Sequence, residues 1–410
     1  MLKMDLNVSN RNADKKGLLI REQYYSRRKF LSLSALGSFA LLCQKSLLGQ
    51  NVDLPAVTEI TNISFSNTHY SGWPTICRRN NGQLLLVYSG GREGHVCPFG
   101  RVEMMVSKDD GKTWSWPRVL LDTDIDDRDA GVLETKKGTL LVTTFTSLAY
   151  ESILNGALKK NPGDTGAWAA ERLKRWKAAH ERLNDDQRKR LLGQWMMRST
   201  DGGVSWSTPY ASLANSPHGP LQLEDGRILY AGKELWTGEK RTGIAESLDD
   251  GATWRWLADM PVRKDDKADN YHELHAVEAP SGRIIVHIRN HNPANNNEIL
   301  QSESGDHGKS WSIPHPIGVW GLPSHLLRLR NGNILMTYGY RRVPYGNQAR
   351  ISKDEGRTWS EPITLSNDGT SGDLGYPSTV ELSDGSLLSV WYELVKGSSM
   401  AVLRQARWRL

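Results

Sequence analysis

The octapeptide SKDDGKTW, residues 107–114, decides the fold, because close copies of it return along most of the chain. The copies read STDGGVSW (199–206), SLDDGATW (247–254), SGDHGKSW (304–311) and SKDEGRTW (352–359), so the shared pattern is SxDxGx(T/S)W. In such a turn the Asp side chain bonds backbone N–H groups, the Gly takes a positive φ and the Trp covers the turn with apolar surface. The pattern predicts a structural hairpin turn rather than a place of chemistry, and it counts repeats.

A second repeat, out of phase with the first, gives the number of units. It consists of a glycine, one further residue and an apolar run, and successive glycines are 56, 88, 56, 50 and 53 residues apart. About fifty residues per repeat is typical of a four-stranded propeller blade. We therefore predict an all-β fold, a six-bladed β-propeller over residues 51–410. Residues 57–65 are expected to close the ring as the fourth strand of the last blade, because closure removes an exposed sheet edge. The six runs span residues 82–88, 138–145, 226–230, 282–288, 332–338 and 385–391.

The longest interval contains an insertion, residues 148–193, in which the β pattern stops. Apolar and aromatic residues such as Trp168 and Trp176 recur at helical spacing, which predicts a helix over residues 167–183 and a short second helix over residues 185–192. The insertion joins the second and third strands of blade two. That connection lies on the rim opposite the SxDxGx(T/S)W turns, so we expect it to form one wall of a central pocket.

Residues 1–50 are interpreted as an export leader. The pair Arg27 and Arg28, followed by Lys-Phe-Leu, resembles a twin-arginine signal, and the apolar run 31–42 is too short to span a bilayer. An ordinary secretory signal with a chance arginine pair stays open, and either signal predicts a periplasmic or extracellular protein. Cys43 follows the apolar run, but the preceding Ala-Leu-Leu fits a lipoprotein signal poorly, so a lipid anchor is disfavoured.

Composition argues against several classes of partner. The net charge of +6 arises from scattered residues, without a basic stripe that carries interleaved stacking aromatics, so no nucleic-acid partner is predicted. The chain has three cysteines and no CxxC spacing, so neither a metal nor a cofactor is predicted. Beyond the leader only Cys77 and Cys97 remain, and a disulfide between them stays open, as does the oligomeric state.

The repeat order predicts which side chains face the central funnel on the rim opposite the turns. They are the residues that open each innermost strand and those that end the next strand. Arg, His, Glu and Tyr collect at these positions, and folding alone does not require such a polar ring. Hydrogen bonding between blades is the alternative role for many of them. The opening positions are Trp73, Arg128, Asp129, His218, His272, Glu273, His275, His325 and Tyr376, and the strand ends are Arg92, His95, Lys233, Glu234, Arg289, His291, Arg341, Arg342, Tyr392 and Glu393.

The repeated turns on a six-unit β chain resemble the Asp-box, or BNR, repeats of the sialidase superfamily over residues 57–410, apart from the insertion. Retaining sialidases use a Tyr nucleophile activated by a Glu, an Asp as acid/base and three arginines that clamp the sugar carboxylate. The segment GYPS, residues 375–378, is similar to the nucleophile segment, and HELHAVE, residues 272–278, is similar to the segment of the Glu. The resemblance implies Tyr376 as nucleophile, Glu273 as its base, and Arg289 with Arg341 or Arg342 as the carboxylate clamp.

Two departures from the family pattern bear on the substrate. The first arginine of the family should lie two residues before the Pro that opens blade one, and here that position is Gly72. Residues 91–100, where the acid/base Asp should lie, contain Glu93 and His95 and no Asp. Loss of one guanidinium removes a charge-assisted contact of roughly 1.5–3 kcal/mol, which disfavours sialic acid. A different acidic sugar, such as a uronic acid or a uronate-containing glycan, would still suit Arg289, Arg341 and Arg92. His95, Glu93 and Asp129 are the candidates for the acid/base.

Three functions follow from these residues. The favoured one is a retaining exo-glycosidase acting on an acidic sugar of a glycan. The second is a uronate lyase that uses a rim histidine and Tyr376, and the third is a non-catalytic glycan-binding propeller, because the turns also occur in lyases and in propellers without activity. In each, the further candidates for substrate binding are Arg92, Arg128, His218, His275 and His325.

Overall fold

The computed structural model describes residues 56–64, 68–236 and 239–410. The arginine pair of the predicted export signal and Cys43 lie outside the described residues. Within them, no helix is long and apolar enough to cross a membrane.

Six four-stranded antiparallel sheets form the blades, which confirms the predicted six-bladed propeller. The first strand of each blade is innermost. Blade one is β2 (Tyr70–Arg78), β3 (Leu84–Arg92), β4 (Arg101–Ser107) and β5 (Arg118–Leu121), and blade two is β6 (Asp126–Glu134), β7 (Leu140–Ser147), β8 (Gln194–Ser199) and β9 (Tyr210–Ala211). Blade three is β10 (Leu221–Gln222), β11 (Ile228–Lys233), β12 (Thr242–Ser247) and β13 (Arg255–Asp259), and blade four is β14 (Tyr271–Glu278), β15 (Ile284–Asn290), β16 (Glu298–Ser304) and β17 (His315–Trp320). Blade five is β18 (Ser324–Arg328), β19 (Ile334–Tyr340), β20 (Tyr345–Ser352) and β21 (Ile363–Gly369), and blade six is β22 (Leu374–Glu381), β23 (Leu387–Glu393), β24 (Val402–Arg409) and β1 (Ala56–Asn62).

The ring closes between the two ends of the described chain, as predicted. Strand β1 lies antiparallel to β24, with Ala56 opposite Arg409 and Asn62 opposite Arg404. The backbone N–H of Ile63 continues the ladder by donating to the carbonyl of Leu403 at 2.9 Å. The N-terminal strand therefore covers the edge that β24 would otherwise expose.

The hydrophobic core is divided among the six interfaces between neighbouring blades. One buried cluster, for example, joins Tyr88 of blade one to Val390 of blade six, and another joins Val87 of blade one to Val142 of blade two. Alternate residues of each β-strand point to opposite faces, so each apolar run supplies both of the interfaces that flank its blade.

Each SxDxGx(T/S)W turn is held by the bonds that its sequence predicts. In the first, Asp109 accepts hydrogen bonds from the backbone N–H and the hydroxyl of Thr113 at 2.9 and 2.6 Å, and the Ser107 hydroxyl accepts from the Gly111 N–H at 2.8 Å. Gly111 has φ 82°, and a Cβ there would lie 2.6 Å from a methyl group of Leu388, so the position requires glycine. The turns are therefore structural. Gly111 of blade one, for example, packs against Leu388 of blade six.

The insertion between β7 and β8 folds into three short helices, α1 (Tyr150–Leu158), α2 (Ala170–Glu181) and α3 (Asp185–Arg190). The prediction of two helices was incomplete, because α1 is short and contains Gly156. Helices α1 and α2 pack Tyr150, Leu154 and Trp176 against Cys97 and Ile125 of the neighbouring loops. Both Cys97 and Cys77 are free thiols, so the disulfide that the sequence left open does not form.

Candidate active site

Four residues that open innermost strands share an unusual backbone geometry. Trp73, Asp129, Glu273 and Tyr376, in blades one, two, four and six, have φ of 53°, 47°, 43° and 54°. Each lies in a β-bulge where the register with the second strand shifts. Left-handed φ in a non-glycine residue costs about 1–3 kcal/mol and concentrates at functional sites. Three of these side chains meet: the ring centres of Trp73 and Tyr376 are 6.4 Å apart, and the Tyr376 hydroxyl is 2.6 Å from Glu273.

The centre of the site is a contact among Tyr376, Glu273 and Arg289. The Tyr376 hydroxyl donates to Glu273 Oε1 at 2.6 Å, and one Arg289 nitrogen donates to Glu273 Oε2 at 2.5 Å and to the Tyr376 oxygen at 3.0 Å. Blade four supplies Glu273 and Arg289, and blade six supplies Tyr376. Glu273 and Tyr376 are 103 residues apart in the sequence. The propeller therefore brings together the three residues that the sequence placed in one site.

The charges within this contact set the protonation of its members. Burial would raise the pKa of Glu273, but the Arg289 cation and the hydrogen bond from Tyr376 hold it below its ordinary value. Burial and the Glu273 charge raise the pKa of Tyr376 well above its ordinary value. At neutral pH the site thus holds a carboxylate that accepts the proton of a neutral phenol, which is the arrangement of a nucleophile with its base.

Asp129 is a buried acid beside this contact. Its side chain is at the opening of β6, the residue is 6% exposed, and no hydrogen-bond partner of Oδ1 is found among the described residues. Burial raises the pKa of Asp129 to about 7, with the Glu273 charge adding to the rise and the Arg128 cation opposing it. Asp129 therefore carries a proton over much of the acidic pH range.

The two candidates for the last arginine of the clamp lie in different surroundings. The guanidinium of Arg341 is 5.8 Å from the centre of the Tyr376 ring, and its Nε donates to the Leu374 carbonyl at 3.1 Å. Arg342 instead stacks on Trp320 at 3.7 Å. Arg341 is thus the residue that joins Arg289 beside Tyr376.

On the blade-one side, Trp73 lies between two guanidinium groups. Arg92 and Arg128 are 4.9 and 4.5 Å from its ring centre. Arg92 is fully buried and pairs with Asp126 at 2.6 Å, so it is not available to a substrate. Arg128 keeps 11% of its side chain exposed. Trp73 directly follows Gly72, the position at which the resemblance would place its first arginine.

Next to Trp73, the His95 imidazole pairs with a residue that sequence reasoning missed, Asp373. Nδ1 of His95 lies 2.8 Å from Asp373 Oδ1, and the hydroxyls of Tyr70 and Tyr392 donate to the same oxygen at 3.0 and 3.1 Å. Asp373 precedes Tyr376 by three residues, and this proximity to the predicted nucleophile was the available signal.

Glu93 lies apart from the Tyr376 contact. Its two carboxylate oxygens accept hydrogen bonds from Arg175 Nε at 2.8 Å and from Trp176 Nε1 at 2.9 Å, both on helix α2. The carboxylate therefore ties the blade-one loop to the insertion.

Three of the other predicted histidines form a buried cluster next to Tyr376, whereas His272 and His291 pair with each other, with ring centres 5.0 Å apart. The rings of His218, His275 and His325 are buried, with centres 4.6 to 5.3 Å apart, and His218 is 6.4 Å from the Tyr376 ring. Burial lowers the pKa of all three well below the ordinary value, so they are neutral. They line a cavity of about 440 Å³ that also borders Arg78, Glu278 and Arg328 at the far ends of innermost strands. In the described part of the chain, no group of three or more His, Cys, Asp or Glu side chains can hold a metal ion.

Comparison with known proteins identifies a family and similar folds. The profile of the BNR repeat-like domain family matches residues 161–388. No curated protein matches the chain in sequence. Among solved structures, the chain is similar to a protein of unknown function from Dyadobacter fermentans, with 24% identity, a TM-score of 0.69, and coverage of 87% of this chain and 99% of that one.

Two further similar structures carry descriptive names. The intramolecular trans-sialidase of leech shows 15% identity and a TM-score of 0.61, and the NanB sialidase of Streptococcus pneumoniae shows 15% identity and a TM-score of 0.59. In both cases 86% of this chain and 70% of the other chain are covered. At such low identity these similarities establish the fold alone.

Proposed function

Because the chain belongs to the BNR repeat-like family and joins a tyrosine, a carboxylate and an arginine at the rim of its propeller, we propose that it is a retaining exo-glycosidase acting on an acidic sugar of a glycan. The observation that carries this proposal is the 2.6 Å hydrogen bond from the Tyr376 hydroxyl to Glu273. A buried phenol held against an ionised carboxylate has no evident role in folding, since either group alone is costly to bury.

In the proposed first step the Tyr376 oxygen bonds to the anomeric carbon while its proton passes to Glu273. The bond from that carbon to the glycosidic oxygen breaks, and the rest of the glycan leaves with a proton supplied by the acid/base. Arg289, which donates to both groups, stabilises the charge that develops on the phenolic oxygen. A neutral phenol approaches an acidic sugar without the charge repulsion that a carboxylate nucleophile would create. Water then releases the sugar from Tyr376 with retention of configuration.

The proposed preference for an acidic sugar follows from the cations at the nucleophile. Arg289 and Arg341 flank Tyr376, whereas Trp73 occupies the blade-one side. Sialidases and trans-sialidases are among the proteins that share the fold. Two guanidinium contacts, from Arg289 and Arg341, at roughly 1.5–3 kcal/mol each, suit the carboxylate of a uronic acid.

The test is the variant Tyr376→Phe, which removes one hydroxyl. We expect at least about a 10³-fold loss of turnover on a panel of α- and β-linked 4-nitrophenyl glycosides of glucuronic, galacturonic and sialic acid, because a lost nucleophile removes a whole catalytic step. The melting temperature should stay close to that of the unchanged protein. Tyr338→Phe is the matched control, since Tyr338 is a buried hydrogen-bonded tyrosine of blade five away from the site. Full activity of Tyr376→Phe would refute the nucleophile assignment.

A uronate lyase is the second candidate, favoured by the imidazole of His95 close to the Tyr70 hydroxyl at 3.1 Å. A lyase removes a proton next to the carboxylate and leaves an unsaturated sugar, which absorbs in the ultraviolet. Incubation with acidic oligosaccharides separates the candidates: new ultraviolet absorbance identifies elimination, and reducing ends without it identify hydrolysis. Binding without turnover identifies a glycan-binding propeller.

A further inference from the structure

The pair of His95 and Asp373 is built as a unit at the edge of the site. Asp373 Oδ1 lies 2.8 Å from His95 Nδ1 and accepts hydrogen bonds from the hydroxyls of Tyr70 and Tyr392 at 3.0 and 3.1 Å. These groups come from four places in the fold: the loop after β3, the start of β2, the end of β23 and the segment before β22. Such convergence on one carboxylate fixes its position, as in other pairs of a carboxylate and a histidine.

The carboxylate determines which nitrogen of His95 can exchange protons. An ionised carboxylate only accepts hydrogen bonds, so Nδ1 keeps its proton and Nε2 is the nitrogen that gains and loses one. Burial would raise the pKa of Asp373, but the hydrogen bonds from His95, Tyr70 and Tyr392 keep it below its ordinary value. Asp373 is therefore ionised at neutral pH.

His95 is also the most accessible of the three predicted acid/base candidates. Its side chain is 46% exposed, whereas Asp129 is 6% exposed. Glu93 is occupied by Arg175 and Trp176. An acid/base must reach the leaving-group oxygen and, later, a water molecule, so exposure favours His95. The ring centre of Trp73 is 4.9 Å from that of His95 and 6.4 Å from that of Tyr376. His95 and Tyr376 therefore border the same indole.

We propose that His95 is the acid/base of the reaction and that Asp373 is its positioning residue, an inference that rests on the glycosidase function proposed above. In the first step Nε2–H of the imidazolium gives its proton to the glycosidic oxygen as the bond to the anomeric carbon breaks. The bond from Tyr376 to that carbon forms, and the phenolic proton goes to Glu273. In the second step Nε2 takes a proton from water, whose oxygen bonds to the anomeric carbon, and the Tyr376 oxygen leaves and recovers its proton from Glu273.

Two arginines near His95 contact its backbone and not its ring. Arg92 and Arg128 donate to its backbone carbonyl at 2.9 and 3.2 Å, so they fix the loop without touching the ring. The titratable side chains that face the ring are Asp373 and Tyr70. Asp373 is thus the anionic group that stabilises the imidazolium directly.

The first test compares His95→Gln with its matched control His315→Gln. His315, on outer strand β17, is 49% exposed and lies 3.7 Å from Glu303. The two residues form a histidine–carboxylate pair outside the site, with a histidine of exposure similar to that of His95. The substrates are the methyl and the 4-nitrophenyl glycosides of the sugar that the unchanged protein cleaves in the panel. We expect the turnover of the methyl glycoside by His95→Gln to fall about 10²–10⁴-fold. On the 4-nitrophenyl glycoside, whose leaving group needs no proton, bond cleavage should recover at least tenfold relative to the methyl glycoside. The control should match the unchanged protein on both.

The second test is the leaving-group dependence of Asp373→Asn. The variant no longer fixes the tautomer of His95, so turnover of the methyl glycoside is expected to fall about tenfold or more, with a smaller loss on the 4-nitrophenyl glycoside. Asp373→Glu, which keeps the carboxylate, should recover turnover of the methyl glycoside. A merely structural Asp373 would lower activity equally on both glycosides.

The outcomes separate this inference from the function on which it rests. Equal activity of His95→Gln and the unchanged protein on the methyl glycoside, with Tyr376→Phe inactive, would overturn the role of His95 and leave the glycosidase intact. An equal loss on both leaving groups would also overturn it. Activity in Tyr376→Phe would instead remove the proposed function. Circular dichroism and melting temperature of every variant show that each loss is measured on folded protein.

Discussion

At the scale of single residues, the buried carboxyl of Asp129 couples stability to pH. Its pKa is about 7 in the folded chain, because of burial and then the neighbouring charges, against about 3.9 in an unfolded chain. Between these values the unfolded state holds fewer protons than the folded one. The contribution of Asp129 to stability is therefore present below about pH 4 and is lost as the pH rises toward 7.

The variant Asp129→Asn does not titrate, so its melting temperature relative to that of the unchanged protein should rise by several degrees between pH 4.5 and 7.5. Thermal unfolding followed at both pH values measures the difference. Asp127, whose pKa burial raises to about 8, affects both proteins equally and cancels. Parallel melting curves across this pH range would show that Asp129 is already ionised in the folded protein.

Residue identities were predictable where a local motif marks them and unpredictable where only the fold joins them. Tyr376, Glu273 and Arg289 lie in recognisable segments, and the structure places them in contact. Asp373 and His95 are 278 residues apart, and no local pattern connects them. Glu93 was a candidate acid because the sequence could not show that α2 would occupy its carboxylate.

At the scale of elements, Glu93 is a polar link between the insertion and the propeller. The variant Glu93→Gln removes the charge that pairs with Arg175 at 2.8 Å. We expect faster hydrogen exchange in α2 with little change in the global melting temperature, because exposed ion pairs contribute about 0–1 kcal/mol. Hydrogen–deuterium exchange with mass spectrometry resolves the two effects.

Asp124→Asn is the control for this prediction, since Asp124 pairs with Arg182 just beyond α2 while both side chains are about half exposed. It should leave exchange in α2 unchanged. Equal exchange in Glu93→Gln and the unchanged protein would show that the apolar contacts of Trp176 alone hold the insertion. Those contacts bury Cys97 and Ile125, so complete deletion of residues 148–193 would expose core and is the less informative change.

At the scale of the whole molecule, ring closure depends on the seven residues of β1. Two truncations isolate their effect: one begins at residue 56 and the other at residue 65. We expect the longer deletion to lower the melting temperature and cause aggregation, because it exposes the edge of β24 and removes a complete strand ladder. Scattering and thermal unfolding of the two proteins measure both effects. Identical behaviour would mean that β24 needs no cover.

The architecture was the most predictable property of the chain, because one strand signal recurs six times and one turn signal recurs five times. Repetition averages out the ambiguity of any single copy. The insertion breaks that repetition, and there the prediction lost helix α1, whose nine residues include Gly156.

The left-handed openings at Trp73, Asp129, Glu273 and Tyr376 repeat one backbone geometry in four blades. Trp73 and Tyr376 also belong to a buried core cluster, and the buried acid Asp129 couples stability to pH, so these positions serve the fold as well as the site. Random substitution at the four codons would therefore change foldability together with chemistry. A library built on this scaffold must be selected for folded protein before it is selected for a new reaction, whereas the turns on the other rim can remain unchanged.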